Sequence, residues 1–586
     1  EAKHQVKLHL SGLPYIRTVV SNKIAGEFKL FLALAVLITA VILLLFFRSL
    51  SAVIFPLIVV GIGVVLSLGT LVLFGYKITL LTALIPPLIV VIGIPNCILL
   101  LNKYHTEYML HQNKVQALSI AVKQIGITTF YANVTTAIGF GVFAFTKSEV
   151  LTQFGIVAAI NVMATWIMSM VLIPVIFSFL PNPKLWQTRH LDNQVLKTFI
   201  HKIDHWIHFD RKKIYWTTLI IILISLVGVS KININGYMVD DLPKNDPILA
   251  DLRFFEQNFD GVLPLEIKID TKRKNGLANI SMLKKIEKLE NMISAYPAIS
   301  KSLSVNEVLK FSKQAYYNGD PNFYSSPTQS EALFILKYAK NAGKASGSNS
   351  LMRTYVDSLN QSTRISFQMA DIGSKKTNAL FTELKPRIDS IFNPSKYEVL
   401  LTGASVIFVD GTNYLFTNLR ESLLLAIALI ALLMLVLFRT MKMVVISLLP
   451  NIIPLLITAG IMGFVGINLK PSTILIFSIA FGIASDQTLY FLTKYRHEQK
   501  TKNWDISKLT SITLKESGLG MIYTAIILFF GFGIFAASNF GGTVSLGILI
   551  SITLLVAVIS NLILLPSLLL SLEKSIHKKA ASDLKS

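Results

Sequence analysis

The chain has 586 residues, of which 53% are hydrophobic, a mean hydropathy of +0.59 and a formal net charge of +22. Such apolar content excludes an ordinary soluble domain and indicates a polytopic membrane protein. The charge belongs to the membrane part and not to a nucleic-acid surface: residues 231–410 hold 23 Lys+Arg against 19 Asp+Glu, leaving +18 for the rest, whose short loops orient the chain in the bilayer.

In chain order, residues Glu1–Asn22 alternate weakly and end in a loop with a turn at Leu10–Pro14. Residues 1–27 therefore read as the end of an extracytoplasmic domain, and the absence of a signal peptide suggests a chain cut or split from something longer. Apolar segments near 28–47, 51–74, 78–101, 125–145 and 150–180 form a first five-helix bundle, residues 28–180. The basic loop Asn102–Lys123 predicts a short amphipathic helix on the cytoplasmic surface, whereas the turns Gly75–Thr79 and Thr146–Glu149 hold one Lys each. Residues 181–213 are a cytoplasmic linker with an amphipathic helix, and residues 214–230 a sixth span.

Residues 231–418 read as an extracytoplasmic α+β domain. Period-two alternation predicts strands at Pro264–Asp270, Arg364–Ala370 and Tyr397–Thr402, and helical spacing predicts helices over Ser281–Ser294 and Ser374–Ile391. βαβ-like units with a helical insertion between about 300 and 362 and a flexible loop at Asn341–Ser350 complete it. Asp240-Asp241, after the sixth span, reads as a solvated turn. Spans near 420–438, 442–465, 471–493, 517–537 and 541–570 give a second bundle, residues 419–571, and the basic tail 572–586 follows. The fold class expected is an α-helical membrane protein of about eleven spans in two repeated halves, with one α+β porter-type domain.

The repeat rests on an offset of 391 residues, which superimposes Ser11-Gly12 on Thr402-Gly403, Phe47-Arg48 on Phe438-Arg439 and Lys103-Tyr104 on Lys494-Tyr495. One residue further on, Gly139-Phe140-Gly141 meets Gly531-Phe532-Gly533. Parallel repeats of this kind place a functional site at their interface near the bilayer midplane.

The candidate site centres on Asp486, well inside the span that starts at Pro471. A mid-membrane aspartate costs roughly 2.5 to 3.5 kcal/mol, so it belongs on a protein interior or wet cavity and marks an ion or proton path. Tyr490, one turn on, shares its helix face and can bond the carboxylate, while Gln487 follows it directly. Tyr523 and Thr524 in the next span, and Asn133 and Thr135 in the first half, are partners across helices. The position equivalent to Asp486 in the first half is Pro95, which is expected to kink its helix where Asn96 donates to Asp486. Asn161, Asn451 and Asn561 read as interhelical glue. No metal-binding spacing and no Gly-x-Ser-x-Gly elbow occurs, so no cofactor, metal or enzyme chemistry is expected.

Residues Gly482-Ile483-Ala484-Ser485-Asp486, running on through Lys494-Tyr495-Arg496, together with Thr135-Thr136-Ala137-Ile138-Gly139-Phe140 and the repeat, resemble the resistance–nodulation–division (RND) superfamily. The likeness is strongest to its MMPL and Patched-like branch with a sterol-sensing-type bundle. The resemblance implies an exporter of hydrophobic or lipid-like molecules, driven by protons taken up at Asp486. It also implies a homo-oligomer or a separate subunit supplying the first porter domain. Pro95 departs from the family's usual pair of acids. That departure leaves a second reading open, a non-transporting sterol-sensing-type scaffold or regulatory subunit, and a third, one part of a split transporter. The Lys-, Asn- and Ile-rich composition points to a bacterial inner membrane, with the lipid bilayer and not nucleic acid as the partner.

Overall fold

The computed structural model describes residues 8–79, 81–188, 194–233, 235–237, 242, 246–259, 261–331, 334–335, 351–469, 471–501 and 505–583. Asp240-Asp241 and Asn341–Ser350 lie outside them. Two compact units divide the chain, a helical one of residues 18–233 and 415–586 and a smaller one of residues 1–17 and 234–414.

In the helical unit the order is α1 (Leu13–Phe47), α2 (Leu50–Leu73), α3 (Ile85–His111), α4 (Lys114–Gly141) and α5 (Glu149–Phe179). Then come the short α6 (Leu185–Thr188), α7 (Gln194–Phe209) and α8 (Arg211–Ser230). Among the described residues, eleven helices are long and apolar enough to cross a membrane. The last five are α13 (Ala404–Phe438), α14 (Met441–Val465), α15 (Pro471–Thr501), α16 (Ile506–Gly533) and α17 (Gly541–Asp583).

The boundaries repeat as the dipeptides do. α1 and α13 are both 35 residues long and start 391 apart, while α4 and α16 are both 28 residues and start 392 apart. Arg48 and Arg439 occupy left-handed backbone at the two hairpin corners, with φ of 47° and 57°. Each amide bonds the carbonyl four residues back, from Leu44 and from Leu435, which closes the helix end as an αL cap does.

Two expectations need correction. The chain is helical from Leu13 onward, not looped to Asn22, because a proline in the first turn forfeits no helical hydrogen bond. No separate amphipathic helix fills Asn102–Lys123: α3 continues to His111 and α4 begins at Lys114. Gln112 takes left-handed backbone (φ 52°), and Asn113 accepts from the Gln116 amide at 3.1 Å, so two residues turn the corner.

The smaller unit holds α9 (Pro247–Asn258), β1 (Leu263–Asp270), α10 (Ile280–Ser294), α11 (Val305–Tyr316), β2 (Ser362–Met369), α12 (Ser374–Ile391) and β3 (Glu398–Thr402). Leu265, Ile267 and Ile269 of β1 alternate inward with Ile365 and Phe367 of β2, and α10 covers that face with Ile286, Leu289 and Ile293. Each such fully buried side chain stabilises the unit by about 1.5 to 3 kcal/mol. The sheet order is β2-β1-β3, with β1 antiparallel to both neighbours. The expected βαβ units are therefore reduced to one, β2-α12-β3, whose parallel strands are split by β1. Gly403, at φ +101°, is required where β3 turns into α13: a Cβ there would lie 2.6 Å from the Pro264 carbonyl oxygen.

Candidate functional site

The site begins with two glycines. A Cβ on Gly139 of α4 would lie 2.9 Å from the Cα of Gly482 of α15, so the two backbones cross in near contact. One turn from that crossing, Thr135 and Thr136 precede Gly139 and Asp486 follows Gly482. Thr135 Oγ1 donates to Asp486 Oδ1 at 2.8 Å, and Thr136 Oγ1 donates to Oδ2 at 2.7 Å. Each carboxylate oxygen thus has its own hydroxyl, and because hydroxyls both donate and accept, a protonated acid finds partners there too.

Packing leaves the acid partly open. From Phe481 to Leu492 every residue is buried except Asp486 and Tyr490. Both line a cavity of about 40 Å³, room for a few waters. Its walls include Pro95, Asn96 and Asn133 from the first half and Gln487, Met521, Thr524 and Leu528 from the second. Gln487 is 4% exposed, and neither polar atom of its amide has a hydrogen-bond partner among the described residues. A buried amide so placed calls for water or an ion in the cavity. No metal-binding cluster of His, Cys, Asp or Glu occurs among the described residues.

The fold brings Asp486, Tyr490, Asn96, Gln487 and Pro95 to one cavity but wires them differently from the sequence expectation. Asn96 does not donate to Asp486. It exchanges hydrogen bonds with Asn133, Nδ2 to Oδ1 at 3.1 and 2.8 Å, across α3 and α4. The Tyr490 hydroxyl lies against Gly520 of α16 and makes no hydrogen bond to Asp486. Tyr523 is drawn elsewhere, its ring 4.5 Å from that of Phe46. Helix α3 passes through Pro95 without interruption, leaving the Val91 carbonyl without its usual donor. Behind the acid, Thr488 Oγ1 lies 2.9 Å from Asn451 Oδ1 and 2.5 Å from Asn561 Oδ1, while Thr70 lies 3.4 Å from Asn161 Oδ1. The three asparagines tie helices together.

Thr136 was not among the partners expected from sequence. Its signal was present: a threonine pair one turn before a glycine, in the segment repeated around Gly531. Only the crossing shows that this turn faces the turn after Gly482.

The chain is similar to a protein of Methanocaldococcus jannaschii described as a candidate membrane protein, 22% identical over 391 residues, 65% of this chain and 96% of that one. The model of the MMPL family matches residues 1–209 and 319–583. With eleven membrane-length apolar helices among its described residues, its repeated boundaries and an acid between the halves, the chain belongs to the MMPL family, polytopic membrane proteins of broadly RND-like transporter type.

Proposed function

We propose that the chain exports a hydrophobic or lipid-like substrate across a plasma or bacterial inner membrane, driven by protons that Asp486 takes up and releases. The α+β unit serves as an extracytoplasmic porter domain. The observation that carries this reading is the environment of Asp486: two hydroxyl partners in α4, a water-sized cavity and an unpartnered Gln487 beside it. A carboxylate used only as a structural tie has no need of open space, and an acid beside a water-sized cavity between two repeats can exchange protons as the repeats move. One proton falling through 100 mV supplies roughly 2.3 kcal/mol, enough to bias a two-state bundle.

The test is proton flux in proteoliposomes under an imposed pH gradient, comparing the full chain with Asp486→Asn. The expected result is loss of flux in a folded variant. Pro95, where the repeat would place a second acid, favours the alternative of a non-transporting scaffold. Equal silence of both proteins would support that alternative.

A further inference from the structure

Helix α7 presents three faces. Ile200, Ile203 and Ile207 are buried in the core they share with residues of α16 and α17. Ile200 Cδ1 comes within 3.2 Å of where a Cβ on Gly518 would sit, so that glycine admits the helix. At 100° per residue, Val195, Phe199 and Trp206 share a second face, and all three are exposed, at 77%, 47% and 46%. Lys197, His201 and His205 form the third, with Lys202 on the border between the last two.

Between α7 and α16 runs a groove of about 680 Å³ lined by Lys197, His201, Lys202, His205, Trp206 and Lys515. The acid of α7, Asp204, is not among the lining residues but pairs with one groove cation: it accepts from Ser511 Oγ at 2.6 Å and lies 3.3 Å from Lys515 Nζ. Nearby, Glu516 is held by Lys494 at 2.6 Å, and Asp505 lines the adjoining groove with His208. Among the described residues, Lys202 and His201 have no acidic partner.

Depth decides what such a groove meets. The span Ile506–Ala537 has 32 residues, about 48 Å against a hydrocarbon core of roughly 30 Å, an overhang of about 12 residues. The charged residues of that span, Lys508, Lys515 and Glu516, all fall in its first eleven positions, which puts the overhang at that end, so Ser511 to Ser517, where α7 docks, lies at the level of a headgroup layer. Arg211, Lys212 and Lys213 open the next span at the same end. Cations over a groove, beside exposed aromatic side chains at interface depth, suit a phosphate with acyl chains attached.

We propose that the groove between α7 and α16 binds the headgroup of an anionic phospholipid, its acyl chains lying along Phe199 and Trp206. The site acts as a fixed lipid clamp for the end of the second bundle and holds whether or not the chain transports.

The experiment is native mass spectrometry of the full chain in detergent titrated with phosphatidylglycerol, with phosphatidylcholine as the neutral comparison, alongside thermal unfolding. Tight retention of phosphatidylglycerol over phosphatidylcholine is expected, with a rise in Tm. Lys197→Gln and Lys202→Gln, both exposed, each reduce retention about fivefold. Lys442→Gln, an exposed lysine at the start of α14, leaves it unchanged. Retention unaffected in the Lys197→Gln/Lys202→Gln double variant overturns the proposal. So does an equal loss in Lys442→Gln, which marks diffuse attraction, or an equal rise in Tm with inorganic phosphate, which marks a soluble anion site.

Discussion

Two helix crossings meet at the centre of the bundle, and the repeat makes their positions equivalent one for one. Where α4 crosses α15, Gly139 meets Gly482, and Thr135 and Thr136 face Asp486. Where α3 approaches α16, Gly531 meets Val91, whose methyl carbons lie 2.5 and 2.9 Å from a would-be Cβ. Ile527 and Leu528 stand at the threonine positions and Pro95 stands at the acid. A glycine pair lets backbones touch; an isopropyl group holds them apart. The difference teaches that packing and polar chemistry separate within one duplicated scaffold. Both crossings keep a glycine, but only the closer one carries a carboxylate with its donors. Of the two crossings, only this one offers an acid for proton-driven work.

The largest expected effect comes from removing that one acid. Asp486→Asn abolishes proton flux in proteoliposomes while circular dichroism and Tm stay near those of the parent, and retained flux would mean that the apolar crossing also conducts. Next, Gly482→Val rebuilds the close crossing in the image of the other. Its Cβ would meet Gly139 Cα and the Thr135 carbonyl oxygen at 3.0 Å, and such overpacking costs about 1 to 3 kcal/mol, read as a fall in Tm. In Gly531→Val the nearest atoms to the new Cβ are those of the Val91 side chain rather than backbone, so Tm falls less; an equal loss would show that the two crossings are equally tight.

A smaller effect follows from the donors. Hydrogen bonds to a charged group contribute about 1.5 to 3 kcal/mol, so Thr135→Val with Thr136→Val cuts flux by about tenfold or more, each alone by less, with the fold retained. Unchanged flux would reduce the hydroxyls to packing. The smallest is Pro95→Ala, which restores a donor to the Val91 carbonyl. Flux stays within about twofold and Tm is unchanged or higher. A large loss of flux would put Pro95 on the path and break the comparison.

Much of this was legible because the signals are local. Alternation in Leu263–Asp270 and Ser362–Met369, and helical spacing in Ser374–Ile391, gave those elements to within two residues. Their direction did not follow, since pairing of β1 with both β2 and β3 is a choice among distant strands. The helix from Leu13 was missed because its first two turns, at the edge of the α+β unit, lack a membrane's unbroken apolar run. At the site, Asn96, Gln487, Tyr490 and Asp486 were found by their place on two equivalent helices. Their wiring was misjudged because Asn133, an equally good partner for Asn96, stands on the neighbouring helix.

By itself the sequence determined the eleven apolar stretches, the duplication and the depth of Asp486. Those depend on hydrophobicity and spacing along one strand of chain, where each residue carries its own transfer energy. Only the tertiary structure decided that Thr135 and Thr136, some 350 residues away, meet that acid, that Tyr523 does not, and that the space beside it stays open. A contact across helices depends on how closely two backbones approach. Here the missing side chains of Gly139 and Gly482 set that approach, and they do so only when they meet.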